Sequence, residues 1–292
     1  AIATAIFIEA MPFLAIGALF SSAIEVFVPR DRMLRIIPRS VAGGLALGIG
    51  AGFLLPTCEC GVVLIVRRLI HKGVPPFIAI AYMLAAPIVN PVVLASTWLA
   101  FRGSMPMLGS RVALAAVVAL AIGLYSRRIP DVLLDAGPGG TGGHGHDHDH
   151  GGQTFGEKIR AVLTHAAREF MDMGTYLVIG ALAAATCKTL LPADMMTYIG
   201  GNLLLSIVGM VVLAILLSVC SEADAFVAAS FQMIPAAAQL AFVALGPMVD
   251  LKLIGMYSVT FKRRLVLALI LGPTAMILVL SWLIGASGLL AW

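Results

Sequence analysis

Polar and charged positions cut this chain into apolar runs, and most of the runs are themselves interrupted. Residues 2–28 are apolar almost throughout and stop at Pro29. Residues 43–55 are apolar and glycine-rich; the run breaks at 56–61, resumes over 62–66 and ends at Arg67, Arg68, His71 and Lys72. Residues 75–101 are broken at Pro87-Ile88-Val89-Asn90-Pro91. Two prolines four residues apart each remove a backbone donor, so an unbroken helix is not expected there. Residues 112–125 form a further span closed by Arg127 and Arg128. Beyond a polar middle, residues 158–168 read as an amphipathic lead into a helix over 170–191. Residues 203–219 break at 220–224 and resume over 225–231, and residues 239–257 break at 246–250. A last span runs from 265 to about 290. Runs of this length without strict alternation predict helices and not the strands of an outer-membrane barrel. With about 20 residues needed per crossing, the expected class is an all-α polytopic membrane protein with about eight to ten membrane segments.

Composition removes the soluble alternative. The 292 residues are 60% hydrophobic and 12% charged, against about 25% charged in a soluble domain. Mean hydropathy is +1.02. The lipid bilayer is therefore the first partner. The net charge of +4 sits in short loops, where it reads as a topology signal and not as a nucleic-acid surface. Cys58, Cys60, Cys187 and Cys220 lie in or beside apolar runs, unlike a secreted disulfide framework. The first run is long for a signal-peptide core and contains Glu9.

The polar middle divides the chain into residues 1–128, a linker over 129–157, and residues 158–292. The two long parts resemble each other. Glu9-x3-Phe13-Leu14-x-Ile16-Gly17-Ala18-Leu19 matches Asp172-x3-Tyr176-Leu177-x-Ile179-Gly180-Ala181-Leu182. Pro29 matches Pro192, Cys58 matches Cys220, and Ala85-Ala86-Pro87-Ile88-Val89-Asn90 matches Leu245-Gly246-Pro247-Met248-Val249-Asp250. Basic residues follow the first span and the cysteine break in the first half, but the equivalent second-half loops over 193–201 and 232–237 hold no Lys or Arg. An inverted duplication accounts for that reversal. It places the loops over 30–39, 67–72 and 262–264, and the central linker, on the cytoplasmic side, with Arg102 and Arg111 as exceptions.

The breaks carry the candidate chemistry. Broken helices persist in a membrane only where protein or a water-filled cavity satisfies the freed backbone. In inverted-repeat transporters such breaks, as broken or re-entrant helices, build a midplane site. Cys58 and Cys60, one residue apart, can bring two sulfurs to one soft centre. The bland alternative for any membrane cysteine is packing; it is preferred for Cys187, while Cys220 gains from its matched position. Glu59, Glu222, Asp224 and Asp250 are carboxyls that at membrane depth must pair, face water or hold a proton. They suit proton coupling, and Lys252 could neutralise Asp250. Against this stands the reading of Glu59 and Glu222 as surface-loop residues. With Asn90, these residues (Cys58, Glu59, Cys60, Asn90, Cys220, Glu222, Asp224 and Asp250) form the candidate solute site. His144, His146, His148 and His150, in a Gly- and Asp-rich linker expected to be disordered, are a compositional site for a transition metal. No cofactor is required by any motif.

Pro56-Thr57-Cys58-Glu59-Cys60-Gly61, followed by Ala85-Ala86-Pro87-Ile88-Val89-Asn90-Pro91, resembles the predicted permease family that includes the organoarsenical efflux permeases. The resemblance covers nearly the whole chain. It implies an inner-membrane permease and, for some members, export of trivalent organoarsenicals with membrane cysteines involved. Cys58, Cys60 and Cys220 are the positions it carries over, and the His-rich linker lies outside its pattern.

The leading expectation is a secondary permease, not an enzyme, moving a soft thiol-reactive solute or metal-like species. The alternatives are a divalent transition-metal transporter with a metal-sensing loop, a membrane thiol oxidoreductase using Cys58 and Cys60, and a purely structural subunit. A disulfide across one intervening residue is strained. Homo-oligomer formation is compatible with all of them. Deleting residues 144–150 separates the first two: altered cellular tolerance to zinc, nickel, cobalt or copper, with unchanged tolerance to arsenicals, is expected only of the metal transporter.

Overall fold

A computed structural model describes residues 2–27, 37–38, 40–54, 57–129, 132–134, 155–190 and 202–288. The linker histidines, His144, His146, His148 and His150, lie outside the described residues. Within them the chain is helical: α1 (Ile2–Phe27), α2 (Val41–Leu54), α3 (Glu59–His71), α4 (Pro76–Val89), α5 (Pro91–Ala100), α6 (Met105–Ser126), α7 (Phe155–Leu190), α8 (Leu203–Leu217), α9 (Asp224–Ser230), α10 (Ala236–Leu245), α11 (Leu251–Thr260) and α12 (Arg263–Ser287). Among the described residues, α6 and α12 are long and apolar enough to cross a membrane by themselves, and α4 with α5 does so as a pair bent by 40°.

Local sequence explains where the helices start and stop. Asn90 precedes Pro91, whose ring disfavours the helical region for its neighbour. Asn90 accordingly leaves the helix (φ −55, ψ 128), and its side chain accepts from Val92 N to start α5. Pro91 takes the first helical position, where its missing N–H is not needed. The expected break over 87–91 is therefore narrower than the two prolines imply. Pro87 stays inside α4, and only Asn90 is out of helix. A similar correction applies after the cysteines: α3 runs on through Arg67 and Arg68 to His71, with Glu59 to Arg67 all buried.

Arg111 is the larger correction. The expected span began after it, leaving it as a loop residue. Ser104 caps α6, accepting from Met107 N, so Arg111 falls in the second turn of the helix and is fully buried.

Helix ends gather at two poles. At one, Arg127 at the end of α6 stacks over Phe77 at the start of α4, 5.5 Å from the ring centroid. The start of α2 is there too, since a Cβ on Gly44 would meet Ile78. Residues 132–134 pair with the junction of α11 and α12: Lys262 N donates to Val132 O at 2.9 Å and Leu134 N to Thr260 O at 3.1 Å. Arg127, Arg128, Lys262, Arg263 and Arg264 make this the basic pole. At the other, the ends of α5, α9 and α12 and the starts of α8 and α10 surround a cavity of about 880 Å³. Thus α2 and α4 start at the basic pole, and α8 and α10 start at the opposite one. The shorter helices α3, α5, α9 and α11 all start between the poles, α3 packing on α11 and α9 on α5.

Small residues set the spacing of these layers, as expected where helices approach closely in lipid. A Cβ on Gly17 would lie 2.5 Å from Gly61 Cα, so α1 rests directly on the start of α3. A Cβ on Gly52 would lie 2.5 Å from Ala86 Cα, whereas one on Gly50 meets nothing within 4 Å. Gly52→Val is expected to cost about 1–3 kcal/mol through overpacking, while Gly50→Ala stays within about 0.5 kcal/mol of the parent. Melting of the two purified proteins in detergent checks this, and equal melting temperatures would refute the contact.

Candidate functional site

Three breaks meet at one buried point. Cys58 is extended (φ −74, ψ 166), and its sulfur accepts from Gly61 N at 3.3 Å, capping α3. That fold-back puts Glu59 in the first turn, where a carboxylate complements the helix dipole. Cys60 follows in the first turn of α3, buried like Cys58. In the second half, Ser218 ends α8 in the left-handed region (φ 47). Its hydroxyl accepts from Leu251 N at 3.2 Å, at the start of α11. Asp250 caps α11 by accepting from Leu253 N at 2.7 Å. The Cys220 carbonyl accepts from Ala223 N and Asp224 N at 2.9 and 3.0 Å, the turn that launches α9.

Lys252 joins these pieces. Its ammonium donates to Glu59 Oε1 at 2.9 Å, and lies 3.4 Å from Asp250 Oδ2 and 3.8 Å from Cys220 Sγ. The other oxygen of Glu59 accepts from the Ser221 hydroxyl at 2.9 Å and from Ser221 N at 3.4 Å. Glu222, half-buried, accepts from the same hydroxyl at 3.4 Å. Lys252, Glu59, Asp250 and Ser221 are at most 1% exposed. Glu59 is therefore a core residue and not a surface-loop group, while Glu222 is half-buried. Two carboxylates share one ammonium, and the buried Cys58, Cys60 and Cys220, none in a disulfide, lie in the same breaks. Among the described residues no group of three or more His, Cys, Asp or Glu side chains is arranged to hold a metal ion.

Asp224 belongs to a neighbouring pair. Its Oδ2 accepts from Arg111 Nη2 at 2.7 Å, and Arg111 Nη1 donates to Thr97 Oγ1. Thr97 in turn donates to Val93 O at 2.7 Å within α5. Asn90 is buried, and its side chain acts as the cap of α5. Of the residues expected to form the site, Cys58, Glu59, Cys60, Cys220, Glu222 and Asp250 thus come together. Asp224 stands one turn away, and Asn90 makes a local cap.

Sequence reasoning missed Ser218, Ser221, Thr97 and the role of Arg111. The hydroxyls carry no signal in an apolar chain. Arg111 did: a guanidinium one residue before an apolar run is equally consistent with a helix interior.

The architecture is that of a multi-pass membrane protein with a polar cluster inside an apolar bundle. A family model described as "Predicted permease" matches residues 1–286. The chain is 42% identical over 269 residues to the "UPF0718 protein YcgR" of Bacillus subtilis (strain 168), covering 91% of this chain and 89% of that protein. It is 37% identical over 291 residues to a Streptococcus mutans serotype c protein named "Putative two-component membrane permease complex subunit", covering 97% and 93%. No solved structure matches. The chain belongs to the predicted permease family, which supports the class of membrane transporter.

Removing one member of a buried ion pair leaves an uncompensated charge and costs about 3–5 kcal/mol. Lys252→Met strands both Glu59 and Asp250, so it is expected to lose about that much stability. Glu59→Gln leaves Lys252 facing Asp250 and is expected to cost less. Equilibrium unfolding in detergent checks the order; equal losses would mean that the ammonium is not the anchor.

Proposed function

We propose that the chain is a secondary permease of the bacterial-type inner membrane, built from two inverted repeats (residues 1–128 and 158–292) joined by a cytoplasmic linker over 129–157. The solute is a soft, thiol-reactive species moved outward, as the family resemblance implies. It meets Cys58, Cys60 and Cys220, with Glu59, Glu222, Asp224 and Asp250 carrying protons or cations. The observation that carries this reading is the bonding of Glu59, from the first half, to Ser221 and Lys252, from the second. The breaks of both halves thereby share one buried cluster, as a midplane site between repeats requires.

Other observations support parts of it. The opposite directions of α2 and α8, and of α4 and α10, fit an inverted duplication. The basic pole fits a cytoplasmic face. The buried carboxyls Glu59, Asp224 and Asp250 outnumber the neighbouring cations Arg111 and Lys252, which leaves room for a coupling proton. Among the described residues the cavity at the other pole is lined by Phe101, Phe226, Met233 and Ile234 together with Ser230, Gln232 and Gln239, and its charged lining residue is Arg102. The Arg102 guanidinium repels a divalent cation at this wall, which weighs against the metal-transporter reading.

Reconstitution into proteoliposomes tests the proposal, with uptake of a trivalent organoarsenical followed under an imposed proton gradient. Cys58→Ser, Cys60→Ser and Glu222→Gln are each expected to lower the rate by about tenfold or more. Wild-type rates in all three would place the site elsewhere.

A further inference from the structure

The two ion pairs both adjoin the thiol-bearing breaks, and they are built differently. Toward the basic pole the way to the cluster is filled. Val62, Val63, Leu64, Ile65 and Val66 of α3 are at most 2% exposed. Glu59, at the foot of that helix, takes three donors from the second half: Lys252 Nζ, Ser221 Oγ and Ser221 N.

Toward the other pole lies the cavity of about 880 Å³, with the end of α5 and the side of α9 in its wall. Phe226, Ala229 and Ser230 of α9 line it, and Phe226 is 51% exposed. The order along α9 is informative. Cys220 and Ser221 belong to the cluster, Asp224 to the Arg111 pair, and Phe226 to the cavity wall. Along α5 the order repeats, with Thr97 bonded to Arg111 and Ala100 and Phe101 on the wall one turn later. Arg111, Asp224 and Thr97 therefore stand between cavity and cluster on both elements.

The pair is also incompletely made. Arg111 reaches Asp224 through one nitrogen, Nη2, although a guanidinium can bind a carboxylate with two. Arg111 Nε and Asp224 Oδ1 are buried without a hydrogen-bond partner. A buried, half-satisfied ion pair contributes little net stability. It is the weaker of the two closures, because Glu59 is held by three donors and Asp224 by one guanidinium nitrogen.

We propose that Arg111, Asp224 and Thr97 form a latch between the cavity and the thiol cluster, and that the cavity is the vestibule by which solute passes when the latch opens. Glu59, Lys252 and Ser221 keep the basic side shut meanwhile. This rests on the permease reading of the cluster, and adds to it which side opens from the state described here and which residues control the opening. Opening is local: α9 is seven residues long, lies between two turns, and can swing without disturbing α6. Arg111 and Thr97 are positioning residues, because they act through Asp224 and α9.

The test reads thiol accessibility and not flux, so it can fail separately from the transport assay. Ser230→Cys marks the membrane side to which the cavity opens. A membrane-impermeant maleimide is applied to sealed vesicles of each orientation, and labelling at Cys220 is followed by peptide-resolved mass spectrometry. In the wild type, labelling at Cys220, which is 4% exposed, is expected to be slow from both sides. The double variant Arg111→Gln with Asp224→Asn removes both charges together and so avoids a stranded ion. Its Cys220 is expected to label at least about tenfold faster, from the Ser230→Cys side alone, as local opening becomes easier. Thr97→Val keeps the ion pair and loses one support; a rise of about threefold is expected. Should the double variant fail to elute as a folded protein, Thr97→Val decides. Unchanged labelling in the folded variants, or an equal rise from both sides, would overturn the latch.

Discussion

The Lys252 ammonium is the point on which the middle of this molecule depends. Taking an ion from water into a protein interior costs several kcal/mol even after relaxation. That cost is offset only if opposite charge and hydrogen-bond partners stand in place. For Lys252 they come from separate parts of the chain: Asp250 from its own helix cap, Glu59 from the first half, and the Cys220 sulfur from the preceding break. The breaks must therefore meet, and the helices that leave them must leave in directions that keep the ions together. The close approach of Gly17 to Gly61, which seats α1 on the foot of α3, belongs to the same requirement.

The second ion pair, Arg111 with Asp224, obeys the same rule less completely. It ties α6 and α5 to the short helix α9, and it leaves a guanidinium nitrogen and a carboxylate oxygen without partners. A chain of this composition could have filled that space with leucine. Ionisable groups inside a membrane are costly, and they persist where a pathway uses them. A membrane transporter of the predicted permease family is where such groups are expected, and the difference between the two pairs gives the bundle a tight side and a loose side.

Much of the architecture could be read from single residues. Asn90 before Pro91 predicts a break, and the chain bends there by 40°. Cys58, Glu59 and Cys60 beside Gly61 were legible as a break, and the structure narrows it, because Cys58 caps a helix that already starts at Glu59. Glu222, Asp224 and Asp250 stand out because a carboxyl in an apolar run has no ordinary use. Arg111 was legible only as a charge next to a span. Its helix begins six residues earlier, at Met105, because Ser104 caps it, and propensity alone does not place that boundary. Ser218, Ser221 and Thr97 were not legible at all. A hydroxyl in lipid is satisfied by its own helix as readily as by a distant carboxylate, so its role depends on what lies opposite.

By itself the sequence determined the class of protein, the approximate positions of the breaks and the residue types available at each. These follow from local rules: apolar length, proline stereochemistry, capping and the cost of charge in lipid. Only the tertiary structure decided the partners. Lys252, expected to neutralise Asp250, lies closer to Glu59, 193 positions away in the chain. Arg111 pairs with Asp224 across 113 positions. Electrostatic partners are chosen by distance in space, and the packing of helices from both halves sets that distance.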